Sequence, residues 1–273
     1  MYECSGTVDP TAIGDETTAH ATAHIHKLAE LGKGVVIGPN AVIGPHVQLG
    51  DGVKVGAGAI VTGNTVIGKE TVVSPYATVG SAPQDLKYAG EDTKLVVGEY
   101  NQIREYVNIS IGTAEGGGVT SIGNHNLIMV YSHVAHDCHI GNHCVLANSV
   151  QLAGHVIVKD HVIFGGMSGA HQFVSFGERV MVGAGSIVVQ DVPPFCMVQG
   201  DRAKITGLNT IGLNRAGLTG EEINHVKLMY KFVYNEYLTV DAAIQKIEQE
   251  IPISEYRKQF TSFLKSCERG ICR

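Results

Sequence analysis

The sequence contains no tryptophan, and aromatic residues make up only 6% of its 273 positions. It has no uninterrupted run of eighteen apolar residues, which excludes an ordinary transmembrane helix. The opening residues, Met1 to Cys4, lack the basic and apolar regions of a secretory signal, so we expect a cytoplasmic protein without a membrane span. The six cysteines show no CxxC spacing, and in a reducing compartment we expect no disulfides between them.

The chain is instead rich in glycine, with 34 residues, and it repeats every six positions. One register of apolar residues runs in steps of six from Ile13 to Val79 and resumes from Ile122 to Val188. A period of six matches neither an amphipathic helix nor an alternating strand. It matches one short strand followed by one turn, and hexapeptide repeats are typical of parallel β-helices.

Three hexads are expected to close a triangular coil of about 18 residues, with successive coils roughly 4.8 Å apart. The first residue of each hexad points inward, and Cys138 and Cys144 take a position where small buried side chains are expected. Glycine, asparagine and aspartate are expected at the left-handed corners. Residues 1–196 are therefore predicted to form an all-β solenoid, and its resemblance to other hexapeptide solenoids implies a left-handed parallel β-helix.

Two stretches leave the register, residues 80–96 and residues 110–121. In a solenoid with short turns, function concentrates in such excursions. The first carries charged residues between small ones and is predicted to be functional. The second, with the run Gly116 to Gly118, is predicted to be a tolerated surface insertion.

Residues 197–273 are predicted to form a C-terminal helical domain. Helices are expected from Thr219 onward, over residues 241–250 and over residues 254–268. The predicted buried residues are Ile223, Val226, Met229, Tyr230, Val233, Tyr256, Phe260, Phe263 and Leu264. The net charge is −8 over residues 1–200 and +2 over residues 201–273. The C-terminal segment is therefore expected to repel an acidic partner less than the solenoid does.

The 18-residue coil length predicts which distant residues lie together. Adding 18 to His136 gives Gly154, and adding 18 again gives Gln172. Asp137 is in the same way followed by His155 in the next coil. One face of the solenoid is therefore expected to hold His136, Asp137, Gly154, His155, His171 and Gln172, with His133 in the coil of His136.

This set has the parts of an acyl transferase that forms no covalent intermediate. A histidine can take a proton from a hydroxyl, and a neighbouring aspartate can fix its tautomer. A glycine amide can approach and stabilise an oxyanion. No serine or cysteine nucleophile motif competes with this interpretation.

Two other interpretations remain at this point. Three neutral imidazoles could bind Zn²⁺ with an open position for water, as in a metal-dependent hydratase. Alternatively, the histidines are surface residues of a solenoid that binds a partner without catalysis. The other histidines, His20, His24, His26, His46 and His161, are expected to form no cluster.

Several motifs resemble those of the UDP-N-acetylglucosamine O-acyltransferases, which catalyse the first step of lipid A biosynthesis in Gram-negative bacteria. The motifs are His133 to Cys138, Leu152 to His155, His171 to Phe173, Pro83 to Glu91, Asp191 to Pro194, Gly207 to Asn209 and Gly212 to Arg215. The resemblance covers nearly the whole chain, including its helical tail.

The resemblance implies that His136 is the general base on the glucosamine 3-hydroxyl, supported by Asp137. It implies that the Gly154 amide binds the thioester oxyanion. The implied donor is a (3R)-hydroxyacyl chain on acyl carrier protein, and the implied acceptor is UDP-N-acetylglucosamine. It further implies a homotrimer with sites between subunits, and neither a cofactor, a metal nor a nucleic-acid partner.

Other positions match substrate contacts of that family. The sugar, pyrophosphate and acyl contacts are Asp85, Lys87, His133, His155, His171 and Gln172, and the contacts near the uridine are Asn209 and Arg215. Ala184 matches the acyl-chain ruler, where some members have glycine. Ala216 and Ile211 depart from the residues of some members on the uridine side. An N-acyltransferase of the same pathway is the nearest alternative, but it usually carries an extra N-terminal domain, whereas these hexads begin almost at once.

Overall fold

The computed structural model describes residues 16–236, 238–267 and 269–273. Three parallel sheets enclose a common core, and the predicted left-handed β-helix with a C-terminal helical part is confirmed. Ile13, the first predicted inward residue, lies outside the described residues. Among the described residues, no helix has the length and apolar character needed to cross a membrane.

The sheets form the three faces of the prism. The strands of the first face are Thr18–Ala19, Val36–Ile37, Lys54–Val55, Val72–Val73, Gln102–Ile103, Leu127–Ile128, Val145–Leu146, Ile163–Phe164, Met181–Val182, Cys196–Gln199 and Lys204–Leu208. Those of the second are His24–Ile25, Val42–Ile43, Ile60–Val61, Thr78–Ser81, Asn108–Ser110, His133–Val134, Gln151–Leu152, Gly169–Ala170 and Ile187–Val188. Those of the third are Glu30–Leu31, Val47–Leu49, Asn64–Ile67, Lys94–Val97, Val119–Ile122, His139–Ile140, Ile157–Val158 and Ser175–Phe176.

Away from the two loops the coil length is the predicted 18 residues, except in the last coil, where Met181 pairs with Met197, 16 residues later. His133 pairs with Gln151, and Gln151 pairs with Gly169, each in a parallel register. The inward residues of the hexads are buried from Ile37 to Val188, whereas Ala19 and Leu31 at the beginning of the described solenoid are only partly covered. Each coil therefore buries a small aliphatic layer against the coils on either side, which is the main source of solenoid stability.

The corners differ from the prediction, because many left-handed positions hold aromatic or histidine side chains. His125, His143 and His161 all have φ between 55° and 61°. Their rings stack at centroid distances of 4.9 and 5.0 Å, and Tyr100 extends the stack at 5.0 Å. The expectation that His161 joins no cluster is therefore wrong. The coil spacing brings flat rings into stacking distance, which offsets the cost of the left-handed backbone.

Both predicted excursions are present but shorter than expected, with loops over residues 82–93 and 111–118. Residues 94–96 and 119–121, which were placed inside the excursions, instead belong to strands Lys94–Val97 and Val119–Ile122, which pair with each other on the third face. Each loop leaves the end of a second-face strand and returns to the third face. We call this corner the second edge; the first edge joins the first and second faces, and the third edge joins the third and first faces.

The chain leaves the solenoid through two further strands and then four helices, α1 (Thr210–Arg215), α2 (Gly220–Tyr234), α3 (Val240–Glu250) and α4 (Glu255–Ser266). Residues 197–208 thus contain strands, and α1 was not predicted. The Thr219 hydroxyl and the Glu222 carboxylate form a capping box at the predicted start of α2. The predicted division of the chain at residue 196 stays a prediction.

The predicted apolar faces of the helices lie inward. Ile223, Val226, Met229, Val233, Phe260, Phe263 and Leu264 are buried, and Tyr230 and Tyr256 are partly buried. Phe195, at the end of the solenoid, packs into the same cluster as the helices. The helices therefore cover the last coils as a packed layer.

Candidate functional site

The predicted stacking of the column is confirmed, but the column lies at the second edge, between two faces, rather than on a face. The His155 amide donates to the His136 carbonyl at 3.0 Å, and the Phe173 amide donates to the Gly154 carbonyl at 3.1 Å. The His136 ring lies against the Gly154 backbone, since a Cβ on Gly154 would be only 2.6 Å from His136 Cε1. Only glycine therefore fits under this imidazole.

His136 is paired with a buried carboxylate. Its Nδ1 lies 2.8 Å from Asp137 Oδ2, and the side chains are 14% and 1% exposed. A carboxylate only accepts hydrogen bonds, so Nδ1 carries the proton, and in the neutral imidazole Nε2 is the nitrogen with a free lone pair. The pair is thus set up as a base whose open nitrogen lies over Gly154.

The second loop, contrary to the prediction of a tolerated insertion, is part of this site. The Thr113 amide donates to Asp137 Oδ1 at 2.8 Å, and its hydroxyl donates to Asp137 Oδ2 at 2.6 Å. Thr113 was not among the predicted site residues, although the strand register indicated where its loop lies. Ser110 ends a second-face strand one coil before Val134, so the loop that follows must lie beside His136 and Asp137.

His155 lies next to the pair and is held by an aromatic ring. Its ring stacks on Phe173 at a centroid distance of 4.3 Å and meets His136 edge-on at 5.1 Å. Its Nε2 is 3.9 Å from Asp137 Oδ2. Burial lowers the pKa of His155, so the neutral imidazole predominates at neutral pH. Phe173, which carries this stack, was not among the predicted site residues.

His133 lies in the coil of His136, as predicted. Its Nδ1 is 2.8 Å from Asn108 Oδ1, and burial lowers the pKa of its imidazole. Two coils further along lie His171 and Gln172, both exposed, with His171 Nδ1 3.1 Å from the Gln172 carbonyl. These side chains line the second edge on either side of Gly154.

A basic cavity of about 500 Å³ continues the second edge beyond His171. It is lined by His171, Val189, Gln190, Arg202, Ala203, Lys204, Arg269 and Arg273. Four of these residues are basic. The cavity therefore favours anionic groups.

Asp85 and Lys87 lie in the first loop at the same edge. Asp85 Oδ1 accepts a hydrogen bond from the Lys87 amide at 3.0 Å, and the Asp85 charge acts on His155. The Lys87 ammonium lies 2.9 Å from Glu115 Oε2 of the second loop, and both side chains are largely exposed. The two loops thus meet above the His136 coil.

Three predicted substrate contacts lie elsewhere on this chain. Asn209 caps α1 by accepting from the Gly212 amide at 2.9 Å, and its Nδ2 donates to the Arg179 carbonyl at 2.9 Å near the third edge. Arg215 is exposed in the last turn of α1. Ala184 is exposed at the first edge. The fold of one chain therefore does not gather these residues around His136.

Cys138, directly after Asp137, does not serve as a nucleophile. Its side chain is fully buried, and its thiol donates to the Ala153 carbonyl at 3.1 Å. Burial raises the pKa of this thiol to about 12. Cys138 and Cys144 are thus buried free thiols, as predicted.

One ligand atom each from His136, Asp137 and His155 lie within 4.8 Å of one another, which is compatible with a divalent metal. However, the Asp137 oxygens already accept from Thr113 and from His136. A metal would have to replace these hydrogen bonds.

The comparisons with known proteins now decide the family. The family model described as "Udp N-acetylglucosamine O-acyltransferase; Domain 2" matches residues 191–272, and the hexapeptide transferase repeat matches residues 46–81 and 119–154. An acyl-[acyl-carrier-protein]–UDP-N-acetylglucosamine O-acyltransferase of Anaeromyxobacter sp. is 48% identical over 201 residues, 74% of this chain and 78% of that protein. The chain belongs to the UDP-N-acetylglucosamine O-acyltransferase family.

Solved structures of the same family agree over nearly the whole length. The UDP-N-acetylglucosamine acyltransferase of Bacteroides fragilis is 37% identical with a TM-score of 0.91, covering 94% of this chain and 100% of that one. The enzyme of Francisella novicida is 36% identical with a TM-score of 0.90, covering 94% of each chain. This protein is therefore an acyltransferase.

Proposed function

We propose that this acyltransferase moves a (3R)-3-hydroxyacyl chain from acyl carrier protein to the 3-hydroxyl of UDP-N-acetylglucosamine, the first step of lipid A biosynthesis. One observation carries the mechanism. The His136–Asp137 pair places an open imidazole nitrogen against the bare backbone of Gly154. The base and the neighbouring amide can therefore act together, the base on the attacking hydroxyl and the amide on the thioester carbonyl.

In the proposed reaction, His136 Nε2 takes the proton of the sugar 3-hydroxyl as its oxygen attacks the thioester carbon. The Gly154 N–H, which donates to no acceptor among the described residues, stabilises the negative oxygen of the tetrahedral intermediate. That intermediate collapses by breaking the carbon–sulfur bond, and the departing thiolate takes the proton from His136. General-base action contributes a rate factor of about 10² to 10⁴. One oxyanion donor contributes about 2.7 to 4 kcal/mol.

The basic cavity supports the proposed donor. Arg202, Lys204, Arg269 and Arg273 line the cavity beside His171, on the C-terminal side of His136. An acidic carrier protein bound there can direct its acyl chain along the edge toward Gly154, and charge complementarity would speed its association.

The scattered contacts support a homotrimer. Ala184 lies at the first edge and Asn209 near the third, whereas His136 lies at the second. If all three contact one substrate, they come from neighbouring copies, and each site then lies between two solenoids.

The test is to incubate the protein with UDP-N-acetylglucosamine and acyl carrier proteins that carry chains of several lengths. Mass analysis should find an ester on the sugar 3-hydroxyl, and the preferred chain length follows from the same data. The N-acyltransferase alternative predicts no ester on this acceptor, whose nitrogen is already acetylated, and an amide only in a parallel incubation with the 3-O-acylated glucosamine nucleotide. Amide formation, or no transfer from any chain length, would contradict the proposal.

Replacing Lys87 with alanine is expected to raise the KM for UDP-N-acetylglucosamine roughly 10-fold or more, because a charge-assisted hydrogen bond contributes about 1.5 to 3 kcal/mol. In the free enzyme Glu115 holds this ammonium, and a substrate phosphate would replace it. The control is Lys54→Ala, an exposed lysine on the first face. Steady-state kinetics that match the wild type would remove Lys87 from the binding site.

The metal-dependent alternative rests on the cluster of His136, Asp137 and His155. Exhaustive chelation is expected to leave acyl transfer unchanged, because the carboxylate that a metal would need is already hydrogen-bonded. Activity that disappears with chelation and returns with stoichiometric Zn²⁺ would favour metal chemistry.

A further inference from the structure

The second loop encloses the carboxylate that supports the proposed base. Thr113 donates to both Asp137 oxygens, through its amide at 2.8 Å and its hydroxyl at 2.6 Å. The Asp137 amide in turn donates to the Thr120 hydroxyl at 2.8 Å, on the strand after the loop. Asp137 and Thr113 are both buried.

One oxygen of this carboxylate joins the loop to the imidazole. Asp137 Oδ2 accepts from the Thr113 hydroxyl and from His136 Nδ1. The Thr113 hydroxyl occupies one lone pair of Oδ2. It thereby determines which lone pair is left to accept from His136 Nδ1. Without the hydroxyl, Thr113 holds the carboxylate through its amide alone. The carboxylate can then rotate more freely about its terminal carbon–carbon bond.

The loop is itself anchored on both sides. The Thr113 carbonyl accepts from the Gly118 amide at 2.8 Å, and the Gly112 carbonyl accepts from the Thr93 hydroxyl at 2.6 Å. Gly116 lies so close to Asp137 that a Cβ there would overlap the carboxylate. The loop therefore presents Thr113 as part of a rigid cover rather than as a mobile insertion.

We propose that Thr113 is a positioning residue of the acyl transfer, which acts through Asp137 to hold the His136 imidazole in its reactive orientation. This inference rests on the proposed function. It assigns a role to the second loop that neither the motif comparison nor the family membership of the chain supplies.

The experiment compares Thr113→Val, which keeps the shape and removes the hydroxyl, with Thr113→Ser, which keeps the hydroxyl. For Thr113→Val, kcat is expected to fall about 10- to 100-fold, with KM for both substrates within about twofold of wild type, since the lost hydrogen bond is to a charged group. Thr113→Ser should restore most of kcat. A purely structural role would not produce this split between kcat and KM or the rescue by serine.

A double-mutant cycle tests the route through Asp137. In an Asp137→Ala background, Thr113→Val should cause little further loss of kcat, because the group it acts through is absent. If Thr113→Val does not fold, as judged by circular dichroism, Thr113→Ala takes its place in both comparisons. Wild-type kcat in the hydroxyl-free variant, failure of serine to rescue, or full additivity would each overturn the proposal. Absence of transfer in the wild type would instead remove the proposed function itself.

Discussion

Replacing His136 with alanine is expected to abolish acyl transfer, with a fall in kcat of about 10² to 10⁴ or more. The substitution removes the open nitrogen over Gly154, and no other described base lies against that amide with a buried carboxylate behind it. Among the described residues the side chain hydrogen-bonds to Asp137, which keeps both donors from Thr113 after the change. We therefore expect the fold and the proposed trimer to persist.

The measurement is single-turnover transfer from acyl carrier protein, together with thermal melting and light scattering. His24→Ala is the matched control, because His24 is an exposed histidine on the same face, far along the solenoid. Turnover close to wild type in the His136 variant would show that another group removes the proton. A large fall in melting temperature would show that the pair stabilises the fold as well.

Replacing Gly154 with alanine is expected to lower kcat by about 10² to 10³, as much as the loss of one oxyanion donor, because the alanine keeps the amide but its methyl group displaces the base beside it. The added Cβ would lie 2.6 Å from His136 Cε1 and 2.8 Å from Nε2, so the imidazole must move. The same methyl group hinders approach to the Gly154 amide. The backbone of Gly154 is not in the left-handed region, so an alanine at this position adds little conformational strain.

Kinetics and thermal melting of the Gly154 variant should be compared with those of Gly166→Ala. A Cβ on Gly166 would meet only the Asn148 carbonyl, at an ordinary 3.4 Å, at the first edge. Equal kcat in the two variants would contradict the crowding of His136 by a side chain at position 154. A fall in kcat restricted to Gly154→Ala supports that crowding.

The repeat made most of the solenoid predictable, because a fixed coil length determines which residues lie one above another. His136, Gly154 and Gln172 could be aligned by counting, and helix starts such as Thr219 follow from local capping chemistry. The contacts of Thr113 could not be predicted by counting residues, because a loop of arbitrary length has no repeat. Its location at the second edge was nevertheless implied by the strand it leaves.

Other differences arise from tertiary packing. The energetic cost of the left-handed backbone at His125 and His143 is offset only when rings from successive coils stack. The conformational preferences of single residues do not include this stacking. Asn209 matched a substrate contact by motif, yet its amide is used to cap α1 and to hold the Arg179 carbonyl. Motif matching identifies a position, whereas packing decides which side-chain atoms remain available.

The final two strands of the first face also have a consequence for self-association. A stack of parallel coils ends in a row of unpaired backbone groups, onto which another solenoid could add and grow a fibre. Here Lys204–Leu208 runs antiparallel to Cys196–Gln199, reversing the hydrogen-bonding pattern at the last rung. On this face an incoming coil would meet a strand of the opposite direction beside a layer of helices, which disfavours head-to-tail addition at this terminus.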